Sequence, residues 1–219
     1  MERYFILGGF NTWYDWNLIL TSKDITPPEP KTNYVELDGM NGTIDLTEVL
    51  TGEVTYKDRT ITASFWTDYG TRKERESLIR TIISSLHGKK IKIVEPDDPD
   101  HYYYGRVKVK SYTNILSYAT ITIEAVCEPW RYTDDIKRPI TVNSNETIDL
   151  VITNNGVKTI CPEINLSTGS VTLIYGNSEI ELKTPSSYKL SDIKLRRGVN
   201  IIGIYGNGSV TFTYKEADL

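Results

Sequence analysis

The sequence predicts a mainly β protein with one α-helix, organised as two domains. Three observations carry that reading. Short runs alternate apolar and polar side chains, which is the period of a half-buried strand. Gly and Pro fall mostly between those runs, where tight turns need them. Tyrosine is abundant, 15 against four Phe, and its apolar ring with a polar tip suits half-buried sheets and contact surfaces.

The elements follow in order. Residues 5–10 (FILGGF) and 13–20 (WYDWNLIL) open the first domain, with Leu18 and Leu20 on one side of a strand and Ile19 on the other. Pro27, Pro28 and Pro30 then interrupt any regular ladder, because proline has no N–H to donate. Tyr34, Glu36 and Asp38 alternate with Val35 and Leu37, and a Gly39–Gly42 turn follows. In TITASFW, residues 60–66, Ile61, Ala63 and Phe65 face one way. The only helix expected spans residues 71–87. Thr71 and Glu74 make a capping box, Leu78, Ile79, Ile82, Ile83 and Leu86 form one stripe, and Gly88 is a left-handed stop. Residues 90–94 and 102–110 form a hairpin around a turn at residues 95–100. Residues 119–127 make the clearest strand, with Ala119, Ile121, Ile123, Ala125 and Cys127 inward.

Residues 129–139 lose the periodicity and contain two prolines, so the domain boundary is placed there, giving domains 1–132 and 133–219. The second domain reads as a β-sandwich of seven or eight short strands. Asn-Asn-Gly, Gly-Asn-Ser and Gly-Asn-Gly are its expected turns.

Composition narrows function. Residues 1–132 carry 16 Lys+Arg and 19 Asp+Glu, and residues 133–219 carry 9 and 10, so neither half is basic. Tight nucleic-acid binding, which rests on neutralising phosphates, is not expected. Cys127 and Cys161 have no zinc spacing and no disulfide framework. No signal peptide and no membrane-length apolar run is read.

Catalytic constellations are missing. Asp97, Asp98, Asp100 and His101 form the densest acidic cluster, but they lack the spaced ligand loop that a hard cation wants. His87 and His101 have no nucleophile motif nearby, and no phosphate loop, dinucleotide fingerprint or zinc helix is present. Trp13, Trp16, Trp66 and Trp130 all lie in the first domain or at its end. The second offers Phe212 and the tyrosines Tyr175, Tyr188, Tyr205 and Tyr214, read as core and surface residues before sugar platforms. Lys194, Arg196 and Arg197 are a short basic run in a turn. No cofactor, no metal and no enzymatic activity are expected.

One stretch is more informative than these. Residues 21–59, TSKDITPPEPKTNYVELDGMNGTIDLTEVLTGEVTYKDR, run from a proline hinge through two glycine turns to Tyr56 and Arg59. With YYYGRVKV at 102–109 and CEPW at 127–130, this order resembles the distal tail proteins of long-tailed bacteriophages. The resemblance implies a tail-tube-like first domain of two β-sheets with a flanking helix, and a galectin-like or carbohydrate-module-like second domain. It also implies a homo-hexameric ring in the virion tail tip, assembled in the host cytoplasm. The ring would join the tail tube to the tail hub and other baseplate proteins, with DNA passing through its channel. Residues 34–47 would make the ring, with Tyr34, Glu36, Asp38, Gly39, Asn41, Gly42 and Asp45 as inter-subunit contacts. Their composition is that of a loop and is hard to explain by internal packing. The alternative is a carbohydrate-binding adhesin that meets the host cell wall through residues 133–219, with weak glycan contact.

Overall fold

The computed structural model describes residues 4–219. Met1, Glu2 and Arg3 lie outside the described residues. The elements are β1 (Ile6–Leu7), β2 (Phe10–Asn11), β3 (Ile19–Ile25), β4 (Tyr34–Glu36), β5 (Thr43–Asp45), β6 (Arg59–Thr67), α1 (Arg72–Leu86), β7 (Lys90–Glu95), β8 (Asp98–Asn114), β9 (Ala119–Tyr132), β10 (Ile136–Asn154), β11 (Glu163–Tyr175), β12 (Ser178–Leu182), β13 (Ser186–Lys189), β14 (Gly198–Tyr214) and β15 (Ala217–Asp218). Packing divides them into two compact units, one up to Arg131 and one over Tyr132–Asp218. Among the described residues no helix is long and apolar enough to cross a membrane.

In the first unit the ladder order is β2-β1-β7-β8-β9-β6-β3, and β4 with β5 forms a separate ribbon. The long strands are thus joined in one sheet path, where two sheets were expected. The strand alternation is as read. Ile61, Ala63 and Phe65 on β6 and Ile121, Ile123, Ala125 and Cys127 on β9 are buried in a common core with Phe5, Leu7, Leu18, Ile93 and Val107. Pairing of Arg59 with Cys127 through Thr67 with Ala119 keeps these two rows in step.

Helix α1 starts as its sequence dictates. Glu74 N–H donates to the Thr71 hydroxyl at 3.3 Å, and Thr71 N–H donates to the Glu74 carboxylate at 2.6 Å. Ile79, Ile82 and Leu86 are buried, and Leu78 packs at the edge of the core. Each fully buried side chain of this kind is worth about 1.5–3 kcal/mol. Gly88 takes the left-handed conformation (φ 78) just past the end.

Arg75 also lies on the buried stripe, at helical spacing before Ile79 and Ile82. Helical spacing puts it inward, although its charge favours water. The guanidinium is satisfied by loops: it donates to the carbonyls of Gly70 (2.7 Å), Ile115 (2.9 Å) and Leu116 (2.8 Å), and to Asn114 Oδ1 (3.3 Å). A buried charge is tolerated only with such partners.

Two local expectations are corrected. The turn placed at residues 95–100 is only Pro96–Asp97, because Glu95 already pairs with Asp98 and β8 begins there. The segment from Pro129 to Pro139 is mostly extended: β9 runs through Tyr132 and β10 starts at Ile136. Pro139 is accommodated because β10 stands at the edge of its sheet, where a missing donor costs little.

The second unit has long strands where many short ones were expected. Its order is β10-β14-β11-β12, with β13 also on β11. Predicted pairs of strands fuse across irregularities, at Ser144/Ile148 in β10 and Leu166/Thr168 in β11. The slip in β11 switches the inward set from Ile164 and Leu166 to Val171 and Leu173, so both halves feed one core. The expected Gly-Asn-Gly turn lies inside β14 instead, with Asn207 paired to both Asn143 and Ser170. Glycine is required there for close approach: a Cβ on Gly208 would sit 2.5 Å from the Thr168 carbonyl oxygen. Gly169 is tighter still, since a Cβ would lie 1.9 Å from the Asn207 carbonyl oxygen.

Candidate functional site

The β4–β5 ribbon and its flanks form an arm on the first unit. Its base is held by two backbone rungs, Lys31 N–H to the Thr55 carbonyl and Lys57 N–H to the Glu29 carbonyl, both 2.8 Å. A bridge pairs Pro30 with Tyr56 between them. The Lys57–Glu29 ion pair at 2.9 Å closes the base and holds the Glu29 carboxyl below its usual range. Tyr56 meets Trp130 edge-on, with ring centroids 5.5 Å apart.

Above the base the arm supports itself by local hydrogen bonds. Tyr34 pairs with Asp45, Val35 with Ile44 and Glu36 with Thr43. Leu46 N–H donates to Asn33 O at 2.8 Å, and Asn33 N–H donates to the Thr47 hydroxyl at 3.1 Å. Thr47 N–H donates to Asp45 Oδ1 at 2.9 Å, and bonds from the Thr47 hydroxyl and N–H keep the Asp45 carboxyl low. Gly39 (φ 84) and Gly42 (φ 86) supply the left-handed residues that the tip needs. The ribbon brings Tyr34, Glu36 and Asp45 together at its strands and leaves Asp38, Gly39, Asn41 and Gly42 at the exposed tip.

No residue of the arm is fully buried. A two-stranded ribbon is marginally stable alone, and this one buries little: only Val35, Leu46, Thr47, Val54 and Tyr56 are half-buried. The sequence reading stressed its polar and glycine residues. It missed the apolar ones: Leu37, Met40, Ile44, Val49 and Leu50 are all exposed, and Leu50 is 92% exposed. The signal was present as aliphatic side chains inside a stretch of loop composition. The arm is also acidic. Glu36, Asp38, Asp45, Glu48 and Glu53 lie between Asn33 and Tyr56, with no Lys or Arg among them.

Asp97 and Asp98 of the β7–β8 hairpin are engaged with Lys23 and Arg131. Asp97 pairs with Lys23 at 2.7 Å, and Lys23 also binds Glu95. Burial pushes the Lys23 ammonium down, but its bonds to Asp97 and Glu95 outweigh that and leave it raised. Asp98 binds His101 Nδ1 at 2.7 Å and Arg131 at 3.0 Å. Among the described residues no group of three or more His, Cys, Asp or Glu is arranged to hold a metal ion. Cys127 is buried, and burial pushes its thiol up to about 12, whereas Cys161 is exposed.

In the second unit the tyrosine hydroxyls are used internally. Tyr188 donates to Thr184 O (2.5 Å), Tyr205 to Glu179 (2.5 Å) and Tyr214 to Thr153 O (3.2 Å), and Tyr175 donates to Lys194 O. Tyr214 is buried and the other three are half-buried, which does not favour a sugar-stacking platform. Lys194, Arg196 and Arg197 are exposed on the loop before β14.

Comparison with known proteins gives two findings. The family described as phage tail protein RIFT-related domain matches residues 16–127, a little over half of the chain, and that span contains the whole arm. Among solved structures, the Dit protein of phage SPP1, described as a paradigm of the hub adsorption apparatus in phages infecting Gram-positive hosts, matches with a TM-score of 0.70. The match covers 97% of this chain and 98% of that one at 15% identity, and so shows a shared fold. No curated protein sequence matches the chain.

Proposed function

The chain belongs to the phage tail protein RIFT-related domain family, and from that premise we propose that it is a structural component of the phage tail tip, a homo-hexameric ring clasped together by the arm. The observation that carries this reading is the separate β4–β5 ribbon, which leaves five apolar side chains and five carboxylates without a core to enter. A ring of identical subunits needs such a heterologous contact, in which one patch meets a different patch on the next copy.

In this reading residues 1–132 form the ring, and residues 133–219 are a sandwich-like docking surface for other baseplate proteins. The tail tube would join one side of the ring and the tail hub the other, as the hub role of SPP1 Dit suggests by analogy. DNA only transits the channel, and a net charge of −4 suits passage without sticking. The function is assembly, with no catalytic step.

Replacing residues 38–41 with a Gly-Ser linker tests the clasp. The expected product is a folded monomer with unchanged far-UV circular dichroism that forms no rings by light scattering, under conditions where the parent protein does. Rings of undiminished stability after the replacement would sink the clasp. Where rings need the tail tube as a template, the same comparison is made on purified tube.

A further inference from the structure

The arm is half of a contact, and the first unit also carries a surface suited to the other half. We propose that the arm of one copy docks in the groove beside the start of α1 on a second copy, with Leu50 packing on Leu116. This rests on the ring reading and names the receptor for the clasp.

The groove is open, about 800 Å³, and lined by Arg72, Lys73, Glu76, Ser77, Arg80 and Asn114. That is room for several side chains, not for one ion. Its charge is mostly positive. Glu76 is already engaged, accepting from Asn114 Nδ2 at 3.1 Å and lying 3.7 Å from Arg80. Arg72 and Lys73 have no carboxylate partner among the described residues. The arm brings carboxylates without a single cation from Asn33 to Tyr56. Opposite fields of this kind steer and orient two surfaces.

An apolar rim adjoins the groove. Asn114, which lines it, leads directly into Ile115 and Leu116, and Leu116 is 85% exposed. Tyr69 is exposed on the neighbouring loop. The two loops are fixed together by Arg75, whose guanidinium holds the carbonyls of Gly70, Ile115 and Leu116 at once. This apolar tip is therefore pre-organised by a buried charge, which lowers the ordering cost of binding. Leu50 and Leu116 are the two most exposed large apolar side chains among the described residues. One sits on the acidic arm and the other beside the basic groove. Each has the partner chemistry that the other lacks.

Trans disulfide formation tests the pairing. Cys161 is first replaced by serine, and Cys127 is left in place because it is buried. A copy carrying Leu50→Cys is mixed with a differently tagged copy carrying Leu116→Cys under mild oxidant. Expected is cross-linking at least ~10-fold faster than for Leu50→Cys mixed with Thr81→Cys, because seated groups react at an effective concentration above that of the bulk. Arg72→Glu with Lys73→Glu, added to the Leu116→Cys copy, should return the rate to that of the control. Adding Glu36→Lys, Asp38→Lys and Glu48→Lys to the other copy should restore it. Cross-linking no faster than the control, or indifferent to the charge reversals, overturns the receptor assignment. If the Gly-Ser replacement at the tip abolishes rings while these cross-links fail, the clasp stands and only its receptor is wrong. If rings survive that replacement, the clasp itself falls.

Discussion

Helix α1 and the β4–β5 arm belong to the same compact unit but place their apolar residues in opposite ways. Along α1, Ile79, Ile82 and Leu86 are buried, and even Arg75 goes under with its own set of carbonyl partners. Along the arm, Leu37, Met40, Ile44, Val49 and Leu50 all face out. The helix is placed by what it covers within the chain. The arm has a fixed base, a well-bonded ribbon and no such cover. The arm is ordered by hydrogen bonds while only Val35, Leu46, Thr47, Val54 and Tyr56 are half-buried, which is the feature the proposed contact between copies rests on.

The contrast can be broken at the helix first. Ile82→Asp should be the most damaging change, because it buries an unpaired charge at a fully buried position. Loss of about 4 kcal/mol or more is expected in denaturant unfolding. Soluble protein with near-parental stability would mean that the stripe does not hold the helix.

Two left-handed glycines sharpen the comparison next. Gly169 (φ 72) has the Asn207 carbonyl oxygen within 1.9 Å of its missing Cβ, whereas Gly39 (φ 84) at the arm tip has nothing within 4 Å. Gly169→Ala should cost roughly 3 kcal/mol or more, combining backbone strain with a clash. Gly39→Ala should cost only the strain, about 1 kcal/mol, and only locally. Equal costs would show that the arm is more crowded than its geometry indicates.

Arg75→Met is the third test. It keeps the length of the side chain but orphans the carbonyls of Gly70, Ile115 and Leu116. A loss of about 2–3 kcal/mol is expected, with increased amide exchange in both loops. If only the exchange changed, the arginine would be ordering the loops without supporting the helix.

The smallest effect concerns pH. The Cys127 thiol is pushed up to about 12 by burial, above the value it has when unfolded. The native state therefore holds this proton more tightly. Its contribution is intact below about pH 9 and is lost as pH rises towards 12. Cys127→Ala should flatten that alkaline decline in thermal unfolding. At pH 8, alkylation should modify the exposed Cys161 and spare Cys127. Equal labelling of both would place Cys127 outside the core.

Much of the first unit was readable. Period-two alternation on β6 and β9 and the capping box of α1 are local rules that the packing respects. The second unit was harder, for a definite reason. Asn-Gly steps mark turns when the chain must reverse, but at residues 206–208 they let two strands pass within contact distance. Sequence alone does not distinguish a glycine that turns from one that makes room. The arm was legible as an anomaly, since Asp38, Gly39, Asn41 and Gly42 are poor core residues. Its apolar residues were not singled out, because aliphatic side chains in a strand-like stretch are ordinarily assigned to a core.

The register of the second unit sets a timetable for synthesis. Ile136 on β10 pairs with Tyr214 on β14, so the first strand of this unit waits for its last long one. Nothing nearer in the chain can take that place, and such distant pairing is slow to form. The first unit has its final long strand, β9, by Tyr132. At about 5–20 residues per second on the ribosome, it leads by roughly 4–16 s. In that interval a nascent chain already displays a finished arm, while the second unit is still being made. Neighbouring ribosomes on one message would then hold several such arms close together, which opens the proposed pairing between copies to chains not yet released.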